Sequence, residues 1–460
     1  MRITYASLPP VDHCEPGRYL NAPLATGYLA AYALSMRGVK DAHTILASDP
    51  LAGLSPVEVT SRILATDPQL VALSVYNWSR DFVMEVTRSL GDIDPKIPIV
   101  LGGPEVAFDP AKALRESSAW WVCTGEGEIP FVTLLNRLEG NSGDILAVPG
   151  MVSRIETVNQ HIPASPLVNP LDDIPSPYTT GIFNPQPGST VDLETMRGCP
   201  FRCNFCLYGK NYNQLRYFSL DRVWADLALL IHSEAASIYI IDPTFNFPRE
   251  RCLEICRMLK ELNVQGQKKI FVEVKAEYID ECMADAFVEA GIAAVEVGLQ
   301  STNPTALVLM GRSFDSVKFT KGMRLLRERE IWANIGVIAG LPGDSIGQFR
   351  DTLRFISDQA LGRLLIYPLQ VFPRSGFHRD AKKLGLRYEP APSYQVIETP
   401  LISASELREI INVIPDLVEE MNQPYVREMS RMVLNRLRLI QDSSVRISGM
   451  SGTTGRNQGD

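Results

Sequence analysis

No stretch of this 460-residue chain stays apolar for the ~18 positions that a membrane-spanning helix needs. No secretory leader is visible at its start. Met1-Arg-Ile-Thr-Tyr5 leads into a strand rather than an apolar leader core, so a cytoplasmic location is expected. Basic runs are also missing. The densest basic stretch, Arg427 to Arg438, is spread through a helix in the manner of a solvated face. With 45 Lys and Arg against 53 Asp and Glu, a net charge of −8 and a pI near 5.4, the chain lacks a broad nucleic-acid footprint. Cysteine is scarce, with eight in all and none after Cys282. That suits a reducing compartment better than a disulfide framework and denies ligands to a C-terminal metal-cluster domain. Neither a GxGxxG dinucleotide fingerprint nor a GxxxxGK[ST] phosphate loop is present.

What is present is two runs of alternating strand and helix, and the length suits two or three domains. In residues 1–140 the apolar strands are Arg2–Leu8, His43–Leu46, Leu70–Val75, Ile97–Leu101 and Trp120–Cys123. Helices are expected over Leu24–Arg37, from the Ser55 capping box to Ala65, and over Glu128–Leu138. This pattern predicts a doubly wound α/β domain with ligands at the carboxyl ends of its strands. Residues 141–190 are Pro-rich and aperiodic and read as a linker. Residues 191–385 then supply six βα units, with strands at Val191–Met196, Ser237–Asp242, Phe271–Lys275, Ala294–Leu299, Asn334–Ala339 and Leu364–Gln370. They predict an incomplete TIM-like barrel. A helical region is expected over 386–445, with its main helix from Ser403 to Ile440, and a disordered tail over 446–460.

The chemistry concentrates in Met196-Arg-Gly-Cys199-Pro-Phe-Arg-Cys203-Asn-Phe-Cys206. Three thiolates spaced CxxxCxxC can hold three corners of a cubane cluster whose full ligation takes four cysteines, leaving one iron open to a small molecule. A zinc knuckle would want a fourth Cys or His at knuckle spacing. Phe205 occupies the slot before the last cysteine, making the run CxxxCxΦC. Here the chain resembles the radical S-adenosylmethionine superfamily. The resemblance implies that Cys199, Cys203 and Cys206 ligate a catalytic 4Fe-4S cluster, that Phe205 borders the cofactor, and that the open iron binds and reductively cleaves S-adenosylmethionine. It also implies an external electron donor of flavodoxin or ferredoxin type.

The same resemblance extends to the strand ends. Ile241-Asp242-Pro-Thr244-Phe-Asn246 matches the segment placing the methionine moiety, implying contacts from Asp242 and Thr244. Glu273 and Lys275 share a strand face, where their charges are costly unless paired with each other or with a ligand. Glu296 with Gly298-Leu-Gln300-Ser301 looks like the ribose or carboxylate motif, and Gly336-Val-Ile-Ala-Gly340 like the adenine-contacting one. For both glycines tight packing is the plain alternative, and for Glu296 a buried ion pair. Arg202, Tyr208 and Lys210 border the cluster and either tune it or face solvent.

In the first domain, the strand-end runs Ser74-Val-Tyr76-Asn77-Trp78, Gly102-Gly103-Pro-Glu105 and Thr124-Gly125-Glu126-Gly127-Glu128 resemble the cobalamin-binding domain of one large radical S-adenosylmethionine class. They imply corrinoid contacts from Ser74, Tyr76, Asn77, Gly102, Gly103, Glu105, Gly125, Glu126 and Gly127. The DxHxxG motif that supplies an axial histidine is missing. Asp12-His13 is wrongly spaced, and His43 in Asp41-Ala-His43 reads as structural, as do Cys14, Cys123, Cys252, Cys256 and Cys282.

The resemblance implies a cobalamin-dependent radical S-adenosylmethionine enzyme that methylates an unactivated carbon of a small-molecule metabolite or natural-product intermediate. A second reading keeps the cofactors but ends in rearrangement, cyclisation or oxidation. A third is a non-catalytic iron–sulfur or corrinoid carrier. Neither nucleic acid nor a membrane is expected as a partner.

Overall fold

In a computed structural model the described residues are 1–8, 23–46, 51, 53–140, 143–155, 164–208, 214–264 and 266–450, with backbone alone at Val39 and over 433–450. Asp12, His13, Cys14, Lys210 and residues 451–460 lie outside them.

The first domain is built on strands β1 (Arg2–Ser7), β2 (Ala42–Leu46), β3 (Leu70–Ser74), β4 (Ile99–Gly102), β5 (Trp121–Cys123) and β6 (Met151–Ser153). Their order is β2-β1-β3-β4-β5-β6, all parallel except β6, which runs antiparallel to β5. The expected five strands are there, and the sixth comes from the stretch read as linker. Met151-Val-Ser153 is too short for a period to show, but all three residues are buried. The helix Pro56–Leu64 starts at the Ser55–Glu58 capping box read from the sequence. Val71, Leu73, Leu101 and Val122 pack one sheet face against helices Pro56–Leu64 and Arg80–Ile93, which contribute Val59, Ile63, Val83 and Leu90.

The second domain holds six parallel strands: β7 (Thr190–Leu193), β10 (Ser237–Ile240), β11 (Lys269–Val274), β12 (Ile292–Gln300), β13 (Trp332–Ala339) and β14 (Arg363–Pro368). They run in sequence order from one edge of the open sheet to the other, as an incomplete barrel requires. On β12 the outer residues Val295, Val297 and Leu299 are buried, whereas Ala294, Glu296, Gly298 and Gln300 are half-buried on the inner face. A short antiparallel hairpin, β8 (Met196–Arg197) with β9 (Arg216–Tyr217), carries the cysteine loop between its strands. Residues 369–402 form the pair β15 (Arg387–Tyr388) and β16 (Val396–Glu398), after which one helix runs Ala404–Met450. That helix passes through Pro415 and Pro424 and beyond both the expected end at Ile440 and the expected start of the tail at 446.

Candidate functional site

The cysteine loop is fixed at both ends and in the middle. Gly198 opens it at φ 99°, and a Cβ there would lie 2.9 Å from the Gln214 carbonyl oxygen, so glycine is required. Asp242, at the end of β10, is 2% exposed and accepts the N–H groups of Thr195 (2.8 Å) and Met196 (3.2 Å) together with the Thr195 hydroxyl. Burial pushes its carboxyl up to about 6, although those hydrogen bonds work the other way. In mid-loop, Asn204 donates its backbone N–H to the Met310 carbonyl (2.8 Å) and its side-chain amide to Leu309 (2.8 Å). Its own carbonyl accepts from Phe377 N–H (2.9 Å). Phe205 packs into the apolar cluster of Leu307, Met310 and Phe377.

Seven cysteines are described and all are free thiols. Arg312 reaches Cys203 Sγ at 3.5 Å, the Tyr208 N–H donates to Cys206 Sγ at 3.4 Å, and the Thr244 hydroxyl bonds the Cys199 thiol. Among the described residues no three His, Cys, Asp or Glu groups are set around a single metal ion. Three loop thiols with hydrogen-bond donors on their sulfurs fit a cluster ligated through three cysteines. Cys252 and Cys256 are buried one helical turn apart and bond each other, away from the loop.

The expected cofactor contacts separate into two groups. Glu273 accepts from the Tyr239 hydroxyl (2.8 Å) and pairs in register with Glu296. Burial raises both carboxyls, and the Glu296 and Asp242 charges help bring Glu273 to about 7. Gln300, at φ 72°, lays its amide over Gly298 and Gly336, and a Cβ at Gly336 would find its nearest neighbours, the Tyr367 ring and the Gln300 amide, at 3.8 and 3.9 Å. These groups share the inner face of the sheet. The others are engaged by protein. Lys275 does not pair with Glu273. It follows the last residue of β11 and bonds Glu277 (2.8 Å), its ammonium lying over the Phe201 and Tyr278 rings. Ser301 donates to Asp344 (3.2 Å). At Gly340 a Cβ would meet Val396 at 2.8 Å and Leu407 at 3.2 Å, so this glycine admits the C-terminal segment.

At the first domain's strand ends, Ser74 and Gly102 are register partners, and Tyr76 stacks on the half-exposed Trp78 at 4.6 Å and 3°. Asn77 is half-buried in the same turn. Gly103 is conformational, since at φ 112° a Cβ would lie 2.4 Å from the Val75 carbonyl oxygen. Glu105 accepts from the Tyr394 hydroxyl at 2.5 Å and lies 3.4 Å from Arg80, tying the C-terminal segment to this domain. Gly125 and Gly127 press on Ser165 and Leu29, where added Cβ atoms would meet them at 2.6 and 2.9 Å. Glu126 is 6% exposed and binds Arg197 (2.9 Å) and Arg216. His43 sits in the N-terminal half of edge strand β2, its Nδ1 on the Tyr5 hydroxyl (2.9 Å), away from the carboxyl ends. The sequence reading missed Arg312, Asn204 and the arginines flanking the loop. Arg202, expected either to tune the cluster or to face solvent, is exposed.

The Radical SAM superfamily profile matches residues 193–356, and the B12 binding domain profile matches residues 28–135. The chain therefore belongs to the radical S-adenosylmethionine family that carries a B12-binding domain before the radical domain. It is 26% identical over 406 residues to the cobalamin-dependent radical SAM methyltransferase TokK of Streptomyces tokunonensis, covering 82% of this chain and 57% of that one. It is 23% identical over 360 residues to the anaerobic magnesium-protoporphyrin IX monomethyl ester cyclase of Cereibacter sphaeroides, covering 73% of this chain and 56% of that one. The chain thus spans somewhat over half the length of these relatives. Among solved structures, the radical S-adenosylmethionine methyltransferase TsrM from Kitasatospora setae shares the fold at TM-score 0.69 and 18% identity, over 89% of this chain and 81% of that one. The two domains imply a 4Fe-4S cluster, S-adenosylmethionine and cobalamin as cofactors. No helix among the described residues is long and apolar enough to cross a membrane.

Proposed function

We propose that the protein is a cobalamin-dependent radical S-adenosylmethionine methyltransferase acting on an unactivated carbon of a small molecule. The observation that carries this reading is the placement of the three-cysteine loop, on a hairpin whose arginines contact the strand-end edge of the B12-binding domain. When bound, the cluster with S-adenosylmethionine supplies a hydrogen-abstracting radical, and the corrinoid supplies a transferable methyl group.

The chain's own residues hold and shape the site. Arg312 and the Tyr208 N–H put donors on two ligand sulfurs, which stabilise negative charge there. Asp242 and Asn204 fix the loop that presents the thiols. Glu273, kept partly protonated near neutrality, and Glu296 line the inner face with Gln300 and Gly336. Tyr76 and Trp78 offer flat apolar surface at the other domain's edge. The similarity to TokK supports methyl transfer, whereas the similarity to the cyclase supports the second reading, a radical reaction without methyl gain. A low-potential donor of flavodoxin or ferredoxin type, in the cytoplasm, completes the proposal.

The test is anaerobic turnover of the reconstituted protein with S-adenosylmethionine carrying a CD₃ group, against a metabolite library. Methyl transfer predicts 5′-deoxyadenosine, S-adenosylhomocysteine and a product bearing the label. Deoxyadenosine with an unlabelled product selects the cyclase-like reading. Absence of deoxyadenosine under strong reduction overturns both.

A further inference from the structure

Four charged side chains that need no cofactor to explain them meet between the two domains. Arg197 ends β8, two residues before Cys199, and Arg216 begins β9, directly opposite it in the hairpin register. Between these partners runs the whole cysteine loop. Both guanidinium groups point to one carboxylate, that of Glu126 in the strand-end loop of the first domain. Arg197 Nη1 lies 2.9 Å from Glu126 Oε2, and Arg216 Nη2 bonds Glu126 Oε1. Arg197 also takes Glu128 (2.8 Å) and Glu194 (3.0 Å), and its guanidinium lies 5.2 Å above the centre of the Tyr28 ring. Arg216 donates further to the Val168 carbonyl (2.7 Å).

Glu126, Glu128, Arg197 and Arg216 are each between 5% and 7% exposed. Buried charges are tolerated only when paired and hydrogen-bonded, and removing one partner leaves the others uncompensated. A planar guanidinium and a carboxylate also bond directionally, so the pair fixes orientation as well as distance. The backbone on the other side is equally held. The Glu126 carbonyl accepts the Ser165 hydroxyl at 2.6 Å, and Gly125 and Gly127 have no room for a side chain. Glu126 is consequently a fixed point rather than a mobile surface acid.

We propose that Glu126 is a positioning residue that ties both ends of the cysteine loop to the strand-end edge of the B12-binding domain, and so sets where the cluster stands relative to the corrinoid. One carboxylate bridging two arginines acts as a hinge pin, because neither end of the loop moves without breaking a buried ion pair. Glu128 and Glu194 complete the charge balance on Arg197 alone and do not span the hairpin. The inference rests on the proposed two-cofactor function, and its test separates the two.

The experiment uses the full-length protein reconstituted with 4Fe-4S cluster and hydroxocobalamin, as wild type, Glu126→Gln, Arg216→Gln and the double variant. Failure of the wild type to take up cobalamin overturns the functional reading itself. With uptake established, both single variants should keep their iron content and bind hydroxocobalamin within twofold of wild type. The magnetic interaction between reduced cluster and Co(II), read as relaxation enhancement in the paramagnetic resonance spectrum, should change. Amide exchange at Arg197 and Tyr217 should accelerate at least tenfold in Glu126→Gln, and the double variant should be no worse than Glu126→Gln, because that substitution already removes both bonds that Glu126 makes to the hairpin. If Glu126→Gln does not fold, Glu126→Asp, which is too short to bridge both arginines, carries the same expectations. A tenfold or greater loss of cobalamin affinity with unchanged exchange would make Glu126 a cofactor contact and overturn the proposal. So would an unchanged cluster–cobalt interaction, or additive effects in the double variant.

Discussion

Replacing Asp242 by Asn tests whether that carboxyl serves the fold rather than a ligand. Asp242 is buried, and its carboxyl is pushed up to about 6. In the unfolded chain the value is about 3.9. The gap of about two units amounts to roughly 3 kcal/mol. Between those values the folded protein keeps a proton that the unfolded chain has released. Stability from this group is therefore fully present below about pH 4 and is lost as pH rises through about 6. Asparagine has the shape of the protonated acid. Its Oδ1 still accepts from Thr195 N–H and Met196 N–H, now at 2.8 and 3.2 Å, and its amide can donate to the Thr195 hydroxyl oxygen. Asn does not titrate, so the stability difference between variant and wild type isolates the Asp242 proton. We expect Asp242→Asn to gain on wild type by about 1.5 kcal/mol between pH 5 and pH 8, about half of the full linkage. Urea unfolding of the cluster-free proteins at both pH values measures this. A variant that is less stable by the same amount at both would refute the reasoning and show that the ionised carboxylate is the form the loop needs.

Two further outcomes follow from the loop itself. Cys199→Ala, Cys203→Ala or Cys206→Ala should each abolish the cluster. Cys252→Ala and Cys256→Ala should retain it, because those buried thiols serve only each other, and iron counting with Mössbauer spectra distinguishes the two sets. Gly376→Ala would place a Cβ 2.2 Å from Asn204 Oδ1, displacing the side chain that holds Leu309. A lost hydrogen bond and local overpacking together cost about 2–4 kcal/mol. The melting temperature should therefore fall and cluster retention with it, whereas unchanged values would show that the loop does not depend on the segment after β14.

The sequence by itself determined whatever has a short period or a fixed spacing. Most strands of the two sheets declared themselves as short apolar runs because at least one face of each is packed in the core, as at Leu70–Ser74 and Trp332–Ala339. The cysteine loop declared itself because three ligands to one cluster must come close together in the chain. Ser55 and Glu58 announced a helix start because a capping box is local by construction. Only the tertiary structure decided which polar strand-end residues are engaged by another part of the protein. Glu105 and Glu126 stand in the same kind of loop as Tyr76 and Asn77, yet their partners Tyr394, Arg197 and Arg216 come from remote segments. Gly336 lies on β13 and Gly340 directly follows it in the same motif, but Val396 and Leu407 crowd the Cβ position at Gly340, whereas the nearest atoms at Gly336 stand at 3.8 Å. Lys275 looked like the counter-ion of Glu273 by strand alternation, but β11 ends before it and the ammonium turns to Glu277. In each case a local pattern fixes the direction of the side chain along its own element. What it meets there depends on how distant elements pack, and that information is not periodic in the chain.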